Sequence, residues 1–169
     1  MLSTRHKQAF TLIELLVTTA IMLLTFTSAL VAYSRFTEKQ RVTAAAESLE
    51  SAIKEVQNRA KTGYLANCEQ LASNDIEVWL DNGQLRYQIT TSCANPANNI
   101  QEEMVMIDED LTLTQDFELQ FIPYGGVDIH QRGLSATLDQ LTSSLSSPQR
   151  ADYLVSFVFD RGGGIRVTY

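Results

Sequence analysis

Charge is almost missing from the early part of this sequence: from Phe10 to Tyr33 every residue is apolar or a small Ser or Thr, except Glu14. At ~1.5 Å per residue the run makes a helix of roughly 36 Å, which crosses a hydrocarbon core of about 30 Å with some tilt. Such a segment is excluded from a soluble core. Glycine and proline are missing from Arg35 to Lys61, so nothing there obliges a helix to stop. Cations are in deficit, 13 Lys and Arg against 20 Asp and Glu, for a net charge of -7. That balance disfavours binding to a phosphate backbone, which wants clustered Lys and Arg, and no nucleic-acid partner is expected. Histidine is scarce too. Beyond Ala9 there is only His130, in a polar stretch with no catalytic motif around it, so it reads as a solvated loop residue and the chain as a non-enzyme. Asp108-Glu109-Asp110 lacks the alternate-position spacing of a Ca²⁺ loop, and no metal or cofactor is expected.

What is present begins with a short leader, Met1 to Ala9, carrying Arg5 and Lys7. Without those two cations 11 basic residues face 20 acidic ones, a balance of -9. The basic leader argues for a cytoplasmic amino terminus, although Arg35, Lys39 and Arg41 follow the span and weaken a simple positive-inside count. A cleaved secretory signal, with Thr27-Ser28-Ala29 as its cleavage site, is the competing reading. Against it stand the length of the run and the carboxylate inside it.

Lys7-Gln8-Ala9-Phe10-Thr11-Leu12-Ile13-Glu14-Leu15 resembles the leader junction of type IV pilins and type II secretion pseudopilins. The resemblance implies that a membrane-embedded prepilin peptidase cuts between Ala9 and Phe10 and methylates the new amine on Phe10. It departs in two places: Ala9 stands where Gly is usual, and Val31 stands where many major pilins have a helix-breaking Pro. Without that Pro nothing removes a backbone donor at Val31. A role for Glu14 follows from physics as well. A carboxylate sunk in hydrocarbon costs about 3 kcal/mol on insertion scales and needs a partner. With the leader removed, the amine at Phe10 of one subunit can pair with Glu14 of another when the helices pack, so that assembly neutralises both charges. The implied partners are other pilin or pseudopilin subunits, the prepilin peptidase and the cytoplasmic membrane. The implied location is that membrane, single-pass with an extracytoplasmic head, and then a filament. A membrane-anchored or secreted binding module that never polymerises is the alternative. Cys68 and Cys93 are the only cysteines. Both fall in the extracytoplasmic part, where an even count pairs; two buried free thiols are the other reading.

Beyond the span, Val42, Ala45, Leu49, Ala52, Ile53, Val56 and Ala60 recur at three- and four-residue spacing, an apolar stripe. Glu50 with Lys54 and Glu55 with Arg59 support the opposite face. Lys61-Thr62-Gly63 ends the helix. The expected organisation is a leader 1–9, a spanning half-helix 10–33, an amphipathic half-helix 34–62 and a β-rich head 63–169. In the head, Ile76 to Leu80, Asp81-Asn82-Gly83 and Leu85 to Thr91 read as a hairpin. Further strands are expected at Met104 to Ile107 and Leu111 to Thr114, with Asp108-Glu109-Asp110 turning between them. Phe117 to Phe121 and Val127 to Ile129 follow, and then a hairpin of Tyr153 to Phe159 and Ile165 to Tyr169. Leu134 to Leu145 fits helix or strand, and is taken as a short strand and then a polar loop through Ser147-Pro148. Trp79 and Tyr87 read as core or cross-strand residues. The fold class is α+β: one antiparallel sheet laid across the carboxyl half of a long helix, the pilin-like plan. The strand-rich head is most like that of a minor pilin or minor pseudopilin.

Overall fold

A computed structural model describes residues 11–62, 70–105, 111–123, 126–132 and 137–169. One α-helix, α1, runs from Leu12 to Thr62, unbroken at Val31. The chain divides into two compact units, Met1–Thr37 and Glu38–Tyr169. In the first, the described residues form a single helix whose large apolar side chains are exposed, from Leu12 at 83% to Phe36 at 57%.

The second unit is built on the apolar stripe. Val42, Ala45, Ala46, Leu49, Ala52, Ile53, Val56 and Ala60 are all buried, on the face that three- and four-residue spacing creates. Each Leu, Ile or Val fully buried this way contributes about 1.5–3 kcal/mol. Ion pairs Lys54–Glu50 and Arg59–Glu55 run along the polar face, where exposure limits each to a few tenths of a kcal/mol.

The strands are β1 (Leu71–Asp81), β2 (Gln84–Cys93), β3 (Ile100–Val105), β4 (Thr112–Leu113), β5 (Phe117–Phe121), β6 (Val127–Gln131), β7 (Thr137–Leu138), β8 (Gln140–Ser147), β9 (Arg150–Asp160) and β10 (Ile165–Thr168). Instead of the single expected sheet they make two, a six-stranded one in the order β3-β2-β1-β5-β6-β7 and a four-stranded one in the order β10-β9-β8-β4. Every pairing among them is antiparallel. The β1–β2 hairpin closes at the expected turn. Asn82 and Gly83 adopt φ of 51° and 79°, the left-handed pair that a two-residue hairpin loop requires. Register sets Ile76 opposite Ile89 and Leu119, and Val78 opposite Tyr87 and Phe117. These inward residues join the helix stripe and Leu141, Leu145, Val155, Phe157 and Phe159 of the small sheet in one hydrophobic core.

Two local expectations are corrected. Gln140 to Ser147 is a strand and not a polar loop, because its inward serines find partners. Ser143 donates to the Gln115 carbonyl at 2.8 Å, and the Ser146 hydroxyl lies 2.6 Å from that of Thr112. The strands expected on either side of Asp108-Glu109-Asp110 do not pair with each other. β3 adds to the edge of the large sheet beside β2, whereas β4 pairs with β8 in the small one. That acidic turn, the Gly63 end of the helix and the start of the ambiguous segment at Leu134 lie outside the described residues.

The β9–β10 turn ties the parts of this unit together. Asp160 accepts from the Gly163 amide through its carbonyl and from the Gly164 amide through its carboxylate, at 2.9 and 2.8 Å. The Gln57 side chain of the helix donates to the Gly163 carbonyl at 2.8 Å, and the Val127 amide of β6 to the Arg161 carbonyl at 3.3 Å. Gly163 has φ of +81°, and a Cβ there would sit 3.1 Å from the Gln57 amide nitrogen, so this position takes no larger residue without strain.

Candidate amino-terminal assembly site

The helix begins where its sequence supplies a cap. The Glu14 amide donates to the Thr11 hydroxyl and carbonyl at 3.3 and 3.1 Å, so Thr11 serves as N-cap and Glu14 occupies the third helical position of a Thr-x-x-Glu sequence, in which only the bond to Thr11 is made and the carboxylate is left over. Thr11 is a site residue that charge and hydropathy alone pass over; the Thr-x-x-Glu spacing is the signal that marks it. A carboxylate in the first turn is also favoured by the helix dipole.

Around that point the helix is apolar and internally satisfied. Thr18, Thr19, Thr25, Thr27, Ser28 and Ser34 each return their hydroxyl to a carbonyl of the preceding turn, at 2.8 to 3.1 Å. Those hydroxyls therefore present little polarity to the surroundings. Glu14 is different. It is exposed, and its carboxylate makes no ion pair or hydrogen bond with any described residue. The segment thus combines a large uncovered apolar surface with a charge that the described residues of its own chain leave unpartnered. Water penalises the first and lipid the second. Both are relieved when other helices, bringing a cation, pack beside it. Ala9 and Phe10, the expected cleavage and methylation residues, lie outside the described residues. α1 is the one described helix long and apolar enough to cross a membrane.

Cys93 ends β2, buried, with its amide bonded to the Asn99 side chain at 2.9 Å and its sulfur 3.1 Å from the Asn98 carbonyl. Cys68 lies outside the described residues, so the pairing of the two is outside them as well. The described chain resumes at Gln70, whose carbonyl accepts from the Ala94 amide at 2.9 Å, and Leu71 stands opposite Cys93.

The other sequence candidates are dispersed. His130 is on β6, not in a loop, opposite Glu118 and Thr137 on the neighbouring strands. Trp79 lies under the Arg132 guanidinium, 4.5 Å from the ring centre, and Tyr87 is in the core. On the same outer strand face as Trp79, burial pushes the Asp75 carboxyl above its ordinary range, against hydrogen bonds from Ser73, Gln120 and Ser92 that pull it down. Among the described residues no group of three or more His, Cys, Asp or Glu is placed to hold a metal ion.

Residues 4–30 match the family model of the prokaryotic N-terminal methylation motif. No curated protein and no solved structure matches the chain significantly.

Proposed function

As a precursor of the type IV pilin and pseudopilin family, carrying that family's methylation segment at residues 4–30, the chain is, we propose, a minor, non-enzymatic subunit of a type IV pilus or secretion pseudopilus. The family assignment brings with it an inner-membrane anchor, processing by prepilin peptidase and assembly with other pilins. The observation that carries the reading is the helix of the first unit, apolar and uncovered, with a Glu14 carboxylate that finds no partner among the described residues. The strand-rich head, with α1 as the only α-helix among the described residues, supports the minor role. Quantitative mass spectrometry of sheared filaments tests that role. The subunit is expected as a small minority beside the major pilin, and equimolar recovery would make it a major one.

The peptidase must seat the junction with a small residue before the cut. Replacing Ala9 by a bulky residue such as Leu is therefore expected to leave full-length precursor in the membrane, with the mature form reduced at least about tenfold. Immunoblotting of membrane fractions reads this directly, and wild-type amounts of mature chain from Ala9→Leu would contradict it.

A disulfide between Cys68 and Cys93 belongs to the same reading, since it would fasten the segment that follows α1 to the end of β2. Closing that loop is worth about 3 kcal/mol on the chain-entropy model. Reduction is expected to lower the melting temperature of the protein by several degrees without altering membrane insertion. Stoichiometric thiol labelling of the exported, unreduced protein would count against it.

A further inference from the structure

The seam between β1 and β5 joins two halves of the large sheet, β1 to β3 on one side and β5 to β7 on the other. Its inner face is apolar, with Ile76 opposite Leu119 and Val78 opposite Phe117. On its outer face Glu77 stands directly opposite Glu118, and Asp75 opposite Gln120. Like charges set across a pair of strands oppose the pairing. Glu77 is answered by Arg132, which also stacks on Trp79. Asp75 and Glu118 are answered by no cation among the described residues. Asp75 is sunk into the face as well. Its Oδ2 accepts from the Ser73 hydroxyl at 3.3 Å, with the Ser92 hydroxyl at 3.5 Å, while its Oδ1 is buried and has no hydrogen-bond partner. An ionised carboxylate here has one oxygen cut off from water and a second carboxylate nearby, and both are unfavourable. The remaining described groups that face it are uncharged: Thr90 and Ser92 on β2, and Gln120 on β5, whose amide donates to the Ser73 hydroxyl at 3.3 Å. Beyond β5 stand Asp128, opposite Gln120, and His130, opposite Glu118.

From this arrangement we infer that the Asp75 carboxyl is a proton-operated clamp on the seam: with a proton it fastens β5 to β1, and without one it loosens them. Protonation removes the half-buried negative charge and its repulsion from Glu118. The hydroxyls of Ser73 and Ser92 can accept the new O–H as well as donate to the carboxylate. Burial, foremost, holds the carboxyl above its ordinary range; Glu118 adds to this, and hydrogen bonds from Ser73, Gln120 and Ser92 pull the other way. A carboxyl raised in this way binds its proton more tightly in the folded chain than in the unfolded one. Its contribution to the seam is therefore complete below the unfolded value, about 4, and is lost as the pH rises through the folded one. The Glu77–Arg132 pair responds in the opposite sense, since acid weakens it, so the clamp shows in a local measurement and not in global stability. It rests on the fold of the head and not on the filament reading.

Amide hydrogen exchange of the full-length protein in detergent micelles is followed by mass spectrometry at about pH 5 and about pH 7.5, and is corrected for the intrinsic exchange rate at each pH. Peptides covering β1 and β5 are expected to be at least about threefold more protected at the lower pH. Asp75→Asn keeps the shape of the side chain and loses its charge. In that variant the protection is expected to be the same at both pH values and to match the wild type in acid. His130→Gln is expected to keep the wild-type response. Peptides from β9 and β10 show that each variant is folded. Protection of β5 in the wild type that is equal at the two pH values, or greater at the higher one, overturns the inference whatever the variants do. A response that survives in Asp75→Asn, or that disappears in His130→Gln, also overturns it, by assigning the pH dependence to Glu118 and His130.

Discussion

Glu14→Leu is expected to be made, inserted and cleaved like the wild type, and to be depleted from filaments by at least about tenfold. Insertion does not suffer, because the substitution removes the one costly group from the apolar run. On the proposed reading cleavage persists, because the peptidase acts at the Ala9–Phe10 junction and not at Glu14. What is lost on that reading is the partner of a neighbouring subunit's amine inside the helix bundle. An uncompensated buried charge costs about 3–5 kcal/mol. Crosslinking to a partner pilin reads incorporation even for a subunit present in few copies. Efficient crosslinking by Glu14→Leu at neutral pH would leave Glu14 as an interfacial residue with no part in assembly.

Phe117→Ala is expected to destabilise the head by about 3–5 kcal/mol. Phe117 is fully buried, and its ring centre lies 4.8 Å from that of Phe159 at an interplanar angle of 43°. It belongs to β5 of the large sheet and Phe159 to β9 of the small one. Truncation removes a bulky side chain from the contact between sheets, leaves a cavity and loses an aromatic pair worth about 0.5–1.5 kcal/mol. Against a total of about 5–15 kcal/mol for an ordinary domain, that is enough to populate unfolded heads at growth temperature. Denaturant unfolding followed through Trp79 fluorescence measures it, and a loss below about 1 kcal/mol would mean that the sheets close over the gap.

The parts of the fold that local chemistry dictates were legible in the sequence. The apolar run and the stripe from Val42 to Ala60 gave α1 to within about two residues, and Asn82-Gly83 marked its hairpin because few other pairs adopt two left-handed conformations. The division into two sheets was not legible. It depends on β4 pairing with β8 and on the chain leaving the large sheet at Asp139, whose carbonyl accepts from the Arg161 amide at 3.2 Å. The strand Gln140–Ser147 looked polar because the groups that satisfy it, the Gln115 carbonyl, Thr112 and Glu38, are far away in sequence. The β9–β10 turn announced itself as a glycine run, but its bond to Gln57 on the helix did not. At the site, Glu14 stood out because any charge in such a run does, whereas the capping bond from its amide to Thr11 emerged only with the helix start.

On this reading the anchor is a processed pilin helix whose chain begins just before Thr11. Amino-terminal sequencing together with the intact mass of the membrane-extracted protein tests it most directly. The expected result is a chain starting at Phe10, with the mass of one added methyl group on its amine. A mature chain starting near Leu30, after Thr27-Ser28-Ala29, would contradict it and make the protein a secreted module without the helix that assembly requires.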